Sequence, residues 1–221
     1  MNARADMAAC CHESPPSPAS TPGLPSDKRP HERPATLRLL AEPRRRFLTN
    51  VPRVWTRVPE PLRAVLADAL RGRARWPIFA HGGVGTGKTC AGLLLCDHAA
   101  PSTIYTDFAE LVGRWIDAGM GRLRERGTHA ECAVTQGMLR DDWAAANLIV
   151  LDELGTRERL SDAAYEALRR LLDARLGRPL VVLSNLDLDG IARVVDDRVA
   201  SRLAGGTVVP VDGPDQRLAW M

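Results

Sequence analysis

The sequence predicts an α/β fold in which helices cover both faces of a parallel sheet, and three observations carry the prediction. Short apolar runs recur at residues 77–80, 103–106, 148–151, 180–183 and 207–211, four of them rich in β-branched residues. Segments of helical periodicity separate these runs, the order expected of βαβ units. A glycine-rich stretch, residues 82–89, follows the first run and leads directly into a helix.

Along the chain, residues 1–36 read as a disordered, basic leader and residues 37–221 as one folded domain. Residues 14–26, SPPSPASTPGLPS, hold five prolines and four serines; proline removes backbone donors and serine adds nothing to a core. Between residues 37 and 70, apolar positions are interrupted by Pro43, Pro52, Pro59 and Pro61, so short helices joined by turns are expected. Leu62, Val65, Leu66 and Leu70 give residues 61–71 a helical spacing. The helix 88–98 carries Cys90 and Cys96, read as packing residues. Residues 113–127 combine Trp115 with Arg114, Arg122, Arg124 and Arg126. They read as a solvated amphipathic helix or as a surface that stacks bases of single-stranded DNA. In residues 162–176, Ser161 supplies a cap, Ala164, Leu168, Leu171, Leu172 and Leu176 line one face, and Gly177 with Pro179 ends the helix. A last helix is expected over residues 187–204.

Composition narrows the class. The chain has 221 residues, 45% hydrophobic and 26% charged, enough for a sizeable core. No apolar run approaches the roughly 20 residues of a membrane span, and no signal-peptide core is visible at the N-terminus. Five cysteines at irregular positions point to a reducing, cytoplasmic setting. Adjacent Cys10-Cys11 with His12 lacks the gap that zinc ligation requires. The net charge of +3 divides unevenly: residues 1–76 hold 14 basic and 7 acidic side chains, residues 77–221 hold 16 and 20. There are 28 arginines and only two lysines, Lys28 and Lys88.

Lys88 stands in Gly82-Gly83-Val84-Gly85-Thr86-Gly87-Lys88-Thr89, the pattern G-x-x-x-x-G-K-[ST] in its required strand–helix context. The glycines allow the backbone to turn successive N–H groups toward phosphate oxygens, and the helix N-terminus adds its positive end. Lys88 is expected to reach the β- and γ-phosphates of ATP, with the Thr89 hydroxyl on Mg²⁺. The run 148–151 ends in Asp152-Glu153 at the sheet edge where open α/β sheets bind ligands. Asp152 suits the Mg²⁺ shell, and Glu153 suits orienting or polarising an attacking water. Asn185 follows the next run, where it either positions that water or caps the helix behind it. Arg198 and Arg202 stand four apart with no acidic residue three or four positions away, which reads as a site for an external anion or as a solvated basic face. Arg217 either folds back over the nucleotide or is tail charge.

The series GGVGTGKT, LIVLDELG, VVLSNLD, DDRVASRL and GPDQR, spread from about Phe47 to the C-terminus, resembles the AAA+ ATPases of the DnaC/IstB group. That group contains bacterial replicative helicase loaders and transposition helper ATPases. The resemblance implies a P-loop NTPase three-layer sandwich with a five-stranded parallel sheet. It also implies ATP and Mg²⁺ as cofactors, Asn185 as the sensor-1 residue, Arg202 as an arginine finger acting in trans within a homo-oligomer, and Arg217 as the sensor-2 residue. Arg198 is similar to a residue that assists the finger. The implied partner is the replicative helicase, with a transposase as the alternative, single-stranded DNA possible and no membrane. A non-hydrolysing, ATP-switched adaptor is the remaining reading. One departure is that helicase loaders usually carry a helical N-terminal docking segment, whereas residues 1–33 are Pro/Ser-rich; the basic Arg44-Arg45-Arg46 is the other candidate for docking.

Overall fold

The computed structural model describes residues 48–51, 53–99, 102–126, 131–155 and 160–216. The expected leader 1–36, Cys10-Cys11-His12, Arg44-Arg45-Arg46 and Arg217 lie outside the described residues.

Five strands form one parallel sheet in the order β2-β5-β6-β1-β7. They are β1 Ile78–His81, β2 Thr103–Asp107, β5 Leu148–Leu154, β6 Leu180–Ser184 and β7 Thr207–Pro210. All five apolar runs are therefore strands, and the α/β expectation holds. The period of two sorts their side chains onto two cores. Phe79, Ile149, Leu151 and Val182 face one cluster with helices α3 (Phe108–Gly119), α4 (Gln136–Ala145) and α5 (Asp162–Ala174). Ile78, Ala80, Val150, Val181 and Leu183 face the other with α1 (Glu60–Leu70) and α2 (Lys88–His98). Burial on both faces explains why these strands are continuously apolar rather than alternating. The result is the three-layer sandwich.

Local chemistry sets the helix boundaries. Asp107 caps α3 by accepting from Glu110 N–H at 2.8 Å, and Ser161 caps α5 by accepting from Ala164 N–H at 3.3 Å. The buried guanidinium of Arg175, just past α5, donates to the carbonyls of Trp143 (2.9 Å), Ala146 (2.7 Å) and Pro179 (2.6 Å). It thereby ties the end of α4 to the start of β6 and satisfies carbonyls that a helix end leaves open.

Three expectations about elements are corrected. The helix expected over residues 162–176 ends at Ala174, so Leu176 is not on its buried face and is 82% exposed. Residues 187–204 form two helices, α6 (Leu188–Val194) and α7 (Asp197–Ala204). Asp196, with extended backbone at φ 180° and ψ 145°, accepts from Arg198 N–H at 2.7 Å and starts a new helix. The stretch after Gly119 is not helical: Arg124–Arg126 (β3) and Glu131–Ala133 (β4) pair antiparallel. Among the described residues no helix is long and apolar enough to cross a membrane.

Candidate functional site

The glycine-rich loop leaves β1 at Gly82, whose N–H donates to the Ser184 carbonyl on neighbouring β6 at 3.2 Å. At Gly82 (φ +148°) a Cβ would lie 2.0 Å from the Val211 carbonyl oxygen. At Gly87 (φ +92°) it would lie 2.2 Å from the Arg57 carbonyl oxygen. Only glycine permits either approach. Gly87 precedes α2 without a side-chain cap, so the first N–H groups of α2 are left for a ligand. Thr86 braces the turn by donating to the Gly83 carbonyl at 2.9 Å. Lys88 is buried, its Nζ donating to the carbonyls of Gly82 (2.8 Å) and Gly83 (2.6 Å). The ammonium is thus folded into the loop's own ring.

Behind the loop, Asp152 is only 3% exposed. Its Oδ2 accepts from the Thr89 hydroxyl at 2.9 Å and from the buried Tyr105 phenol, and its Oδ1 accepts from Glu153 N–H at 2.8 Å. Glu153, next in the chain, points the other way: it is exposed and its φ is +60°. The cause is an irregularity in the β5–β6 register between Leu151 and Leu154. An extra residue there re-aims a side chain, a strained arrangement common beside functional sites. Two adjacent carboxylates therefore receive opposite environments.

Val84, Gly85, Thr86, Gly87, Lys88 and Thr89 line one cavity of about 510 Å³ together with Asp152, Glu153 and Asn185. Gly82 and Gly83, also expected at the nucleotide, do not line it; their carbonyls accept from Lys88 Nζ. The volume suits a nucleotide-sized ligand. Thr89 Oγ1 beside Asp152 Oδ2 is an all-oxygen donor pair that fits a hard cation such as Mg²⁺. Among the described residues no group of three His, Cys, Asp or Glu gathers to hold a metal, so phosphate oxygens would complete such a shell. Sequence reasoning missed Asn50, Val51, Arg57 and Gln216, which line the far side of the cavity. Gln216 Nε2 donates to the Arg57 carbonyl at 3.0 Å and Gln216 N–H to the Gly85 carbonyl at 3.1 Å. Tyr105 was also missed, because only the fold brings β2 beside Asp152.

No protein-family model and no curated protein matches the sequence. Solved structures do. The AMPPCP-bound DnaA from Aquifex aeolicus superposes with a TM-score of 0.58 at 20% identity, over 70% of this chain and 48% of that one. The DnaC helicase loader gives 0.52 at 14% identity, over 70% of this chain and 93% of that one. DnaI gives 0.51 at 16% identity, over 70% and 81%. The fold is the three-layer α/β sandwich shared with these DnaA and DnaC structures. The chain spans about half the length of the AMPPCP-bound DnaA structures and of a DNA replication initiation factor that it also matches.

Within this fold the cavity holds Asn185, which is exposed at the β6 tip. It does not cap the following helix: Asp187 does, accepting from Gly190 N–H at 2.7 Å. The two arginines of α7 lie elsewhere and do not line the cavity. Arg202 is not without an acidic partner, contrary to the local reading. It donates to Asp173 Oδ1 on α5 at 2.5 Å, a residue 29 positions away that a search of neighbouring turns does not reach. Arg198 is exposed, with no side-chain partner among the described residues.

The reading of residues 113–127 as a base-stacking surface is overturned. Trp115 is 6% exposed and stacks on Trp143, ring centroids 5.7 Å apart. Arg114 pairs with Glu125, and Arg122 pairs with Asp117 at 2.8 Å. The tryptophan belongs to the core that α3 shares with α4. Cys90 and Cys96 are buried packing residues as expected. Burial, reinforced by the Asp97 carboxylate, pushes the Cys96 thiol well above its ordinary range, which keeps it unreactive.

Proposed function

We propose that the chain is an ATP- and Mg²⁺-dependent AAA+ ATPase of DNA replication that acts as a DnaC-type helicase loader. The observation that carries the reading is one cavity shared by the Lys88 loop, the Thr89–Asp152 pair, and the outward-facing Glu153 and Asn185. Bound Mg-ATP supplies the hydrolysable phosphoanhydride. The loop N–H groups and Lys88 bind its phosphates, Thr89 and Asp152 hold the cation, and Glu153 with Asn185 holds the water. Tyr105 keeps Asp152 oriented from behind. Arg202, exposed and outside its own cavity, serves an adjacent subunit of a homo-oligomer as an arginine finger, with Arg198 beside it. Arg217 follows cavity-lining Gln216 in the sequence, in keeping with a contact to the nucleotide.

The partner proposed is a replicative helicase, after the DnaC helicase loader and DnaI among the structural neighbours. Single-stranded DNA is proposed as a second ligand because a DnaA neighbour was solved with AMPPCP and single-stranded DNA. The DNA-binding surface would not be Trp115. The setting this reading implies is the cytoplasm.

Phosphate release by the wild type and by Glu153→Gln tests the chemistry. Turnover is expected in the first and a loss of roughly a hundredfold or more in the second, with nucleotide still bound. Binding without turnover in both marks an ATP-switched adaptor instead. Co-purification with a hexameric helicase in ATP but not ADP supports the loader; capture of a transposase in its place overturns it.

A further inference from the structure

Ser184, the last residue of β6, is 1% exposed and uses its hydroxyl twice. Oγ donates to the Leu154 carbonyl at 2.7 Å and accepts from Leu186 N–H at 2.9 Å. Leu154 is the residue after Glu153, and Leu186 is the residue after Asn185. The same residue's carbonyl accepts from Gly82 N–H at 3.2 Å. One buried serine therefore joins the ends of three strands, each carrying a different part of the cavity. The β5–β6 pairing alone cannot hold Glu153 in register, because it shifts between Leu151 and Leu154 and resumes only at Leu154 opposite Ser184. The turn beyond is equally close. At Gly155 (φ +83°) a Cβ would lie 2.7 Å from Leu186 Cδ1, so the strand end and the Asn185 turn are in contact on that side as well.

We infer that Ser184 is the positioning residue that sets Asn185 against Glu153, by tying the carbonyl just past one to the N–H just past the other. This rests on the ATPase reading above, in which those two side chains share a water. The hydroxyl is suited to the task because it supplies one donor and one acceptor where the shifted register leaves one carbonyl and one N–H to be paired. Ser184 itself lines the cavity, but the backbone groups it ties belong to Leu154 and Leu186, which do not, so loss of the hydroxyl is expected to move the geometry of turnover and leave the phosphate contacts in place.

The test uses the full chain with steady-state phosphate release, affinity for a fluorescent ATP analogue, and thermal melting. Ser184→Ala is expected to lower kcat by roughly tenfold to a hundredfold, the scale of an ångström-sized misplacement, with nucleotide affinity changed by less than about twofold. Ser184→Thr, which keeps the hydroxyl, is expected to recover most of the turnover. Ser184→Val has the same shape without the hydroxyl and is expected not to. In an Asn185→Ala background, where no amide is left to be positioned, removing the serine should change kcat by less than about twofold. Wild-type turnover in Ser184→Ala, equal turnover in the Thr and Val variants, or full multiplicative losses in the double variant would overturn the assignment. Parallel losses in affinity and kcat would do the same, since they mark a general structural role. A wild type that binds nucleotide but releases no phosphate defeats the ATPase reading and this assignment with it, whereas turnover insensitive to Ser184 defeats this assignment alone.

Discussion

Asp152 and Asp173 each accept two side-chain hydrogen bonds, yet they sit in regions built on different physics. Asp152 is buried under the glycine-rich loop and takes Thr89, Tyr105 and the Glu153 N–H. Asp173 lies on the open face of α5, its side chain 40% exposed, and takes Arg202 at 2.5 Å and Arg169 at 3.3 Å. In the first region low exposure makes each hydrogen bond costly to break, so the donors are fixed before any ligand arrives. In the second, water and salt screen the pairs, and each is worth about 0–1 kcal/mol. A screened pair is easily exchanged for another anion. Under the proposed function, the buried array suits holding a ligand and the surface array suits changing partners.

The most severe way to break this comparison is Arg202→Ala. If Arg202 exchanges Asp173 for a neighbour's phosphate, turnover falls by on the order of 10³-fold or more, while the melting temperature barely moves because the pair it leaves is a surface one. Turnover that is independent of protein concentration and unchanged in the variant refutes action across an interface. Next comes Lys88→Ala. Removing this buried cation is expected to weaken nucleotide binding by roughly a hundredfold or more, read by titration with a fluorescent analogue. Binding retained at wild-type strength would mean the buried array is only architecture.

The smallest effect concerns the surface array itself. Hydrogen bonds from Arg169 and then Arg170 lower the Glu166 carboxyl from 4.5 to about 2. A depressed carboxyl stabilises the fold above its unfolded value, and that contribution is lost as pH falls from about 4.5 toward 2. Glu166→Gln should therefore melt slightly below wild type at pH 6. The gap should close across that acid window, and a gap constant down to pH 2 contradicts the pairing.

What the sequence made legible was whatever its signal kept local. The loop 82–89, Asp152-Glu153 and Asn185 each follow an apolar strand, and a strand end is recognisable from a few residues. Two of the failures share a cause, distance along the chain. Trp115 looked free because its partner Trp143 lies 28 positions on. Arg202 looked unpaired because Asp173 is on another helix. The break at Asp196 was hidden inside a sound helical pattern, because capping competes with helix continuation over a single residue. Tyr105 and Ser184 carried no signal at all: a buried hydroxyl in a strand is ordinary until the sheet order places it beside a carboxylate or a shifted register.

Gln216 bridges Arg57 and Gly85, so the pocket is a seam where early, middle and late parts of the chain meet. A ligand seated there would contact all three at once and would bind the folded unit but not the unfolded chain. Its free energy is then added to the cooperative unfolding of the whole unit, about 2.7 kcal/mol at a hundredfold excess over Kd. A simple melting curve thereby becomes a binding assay, able to rank candidate nucleotides before any catalytic activity has been measured.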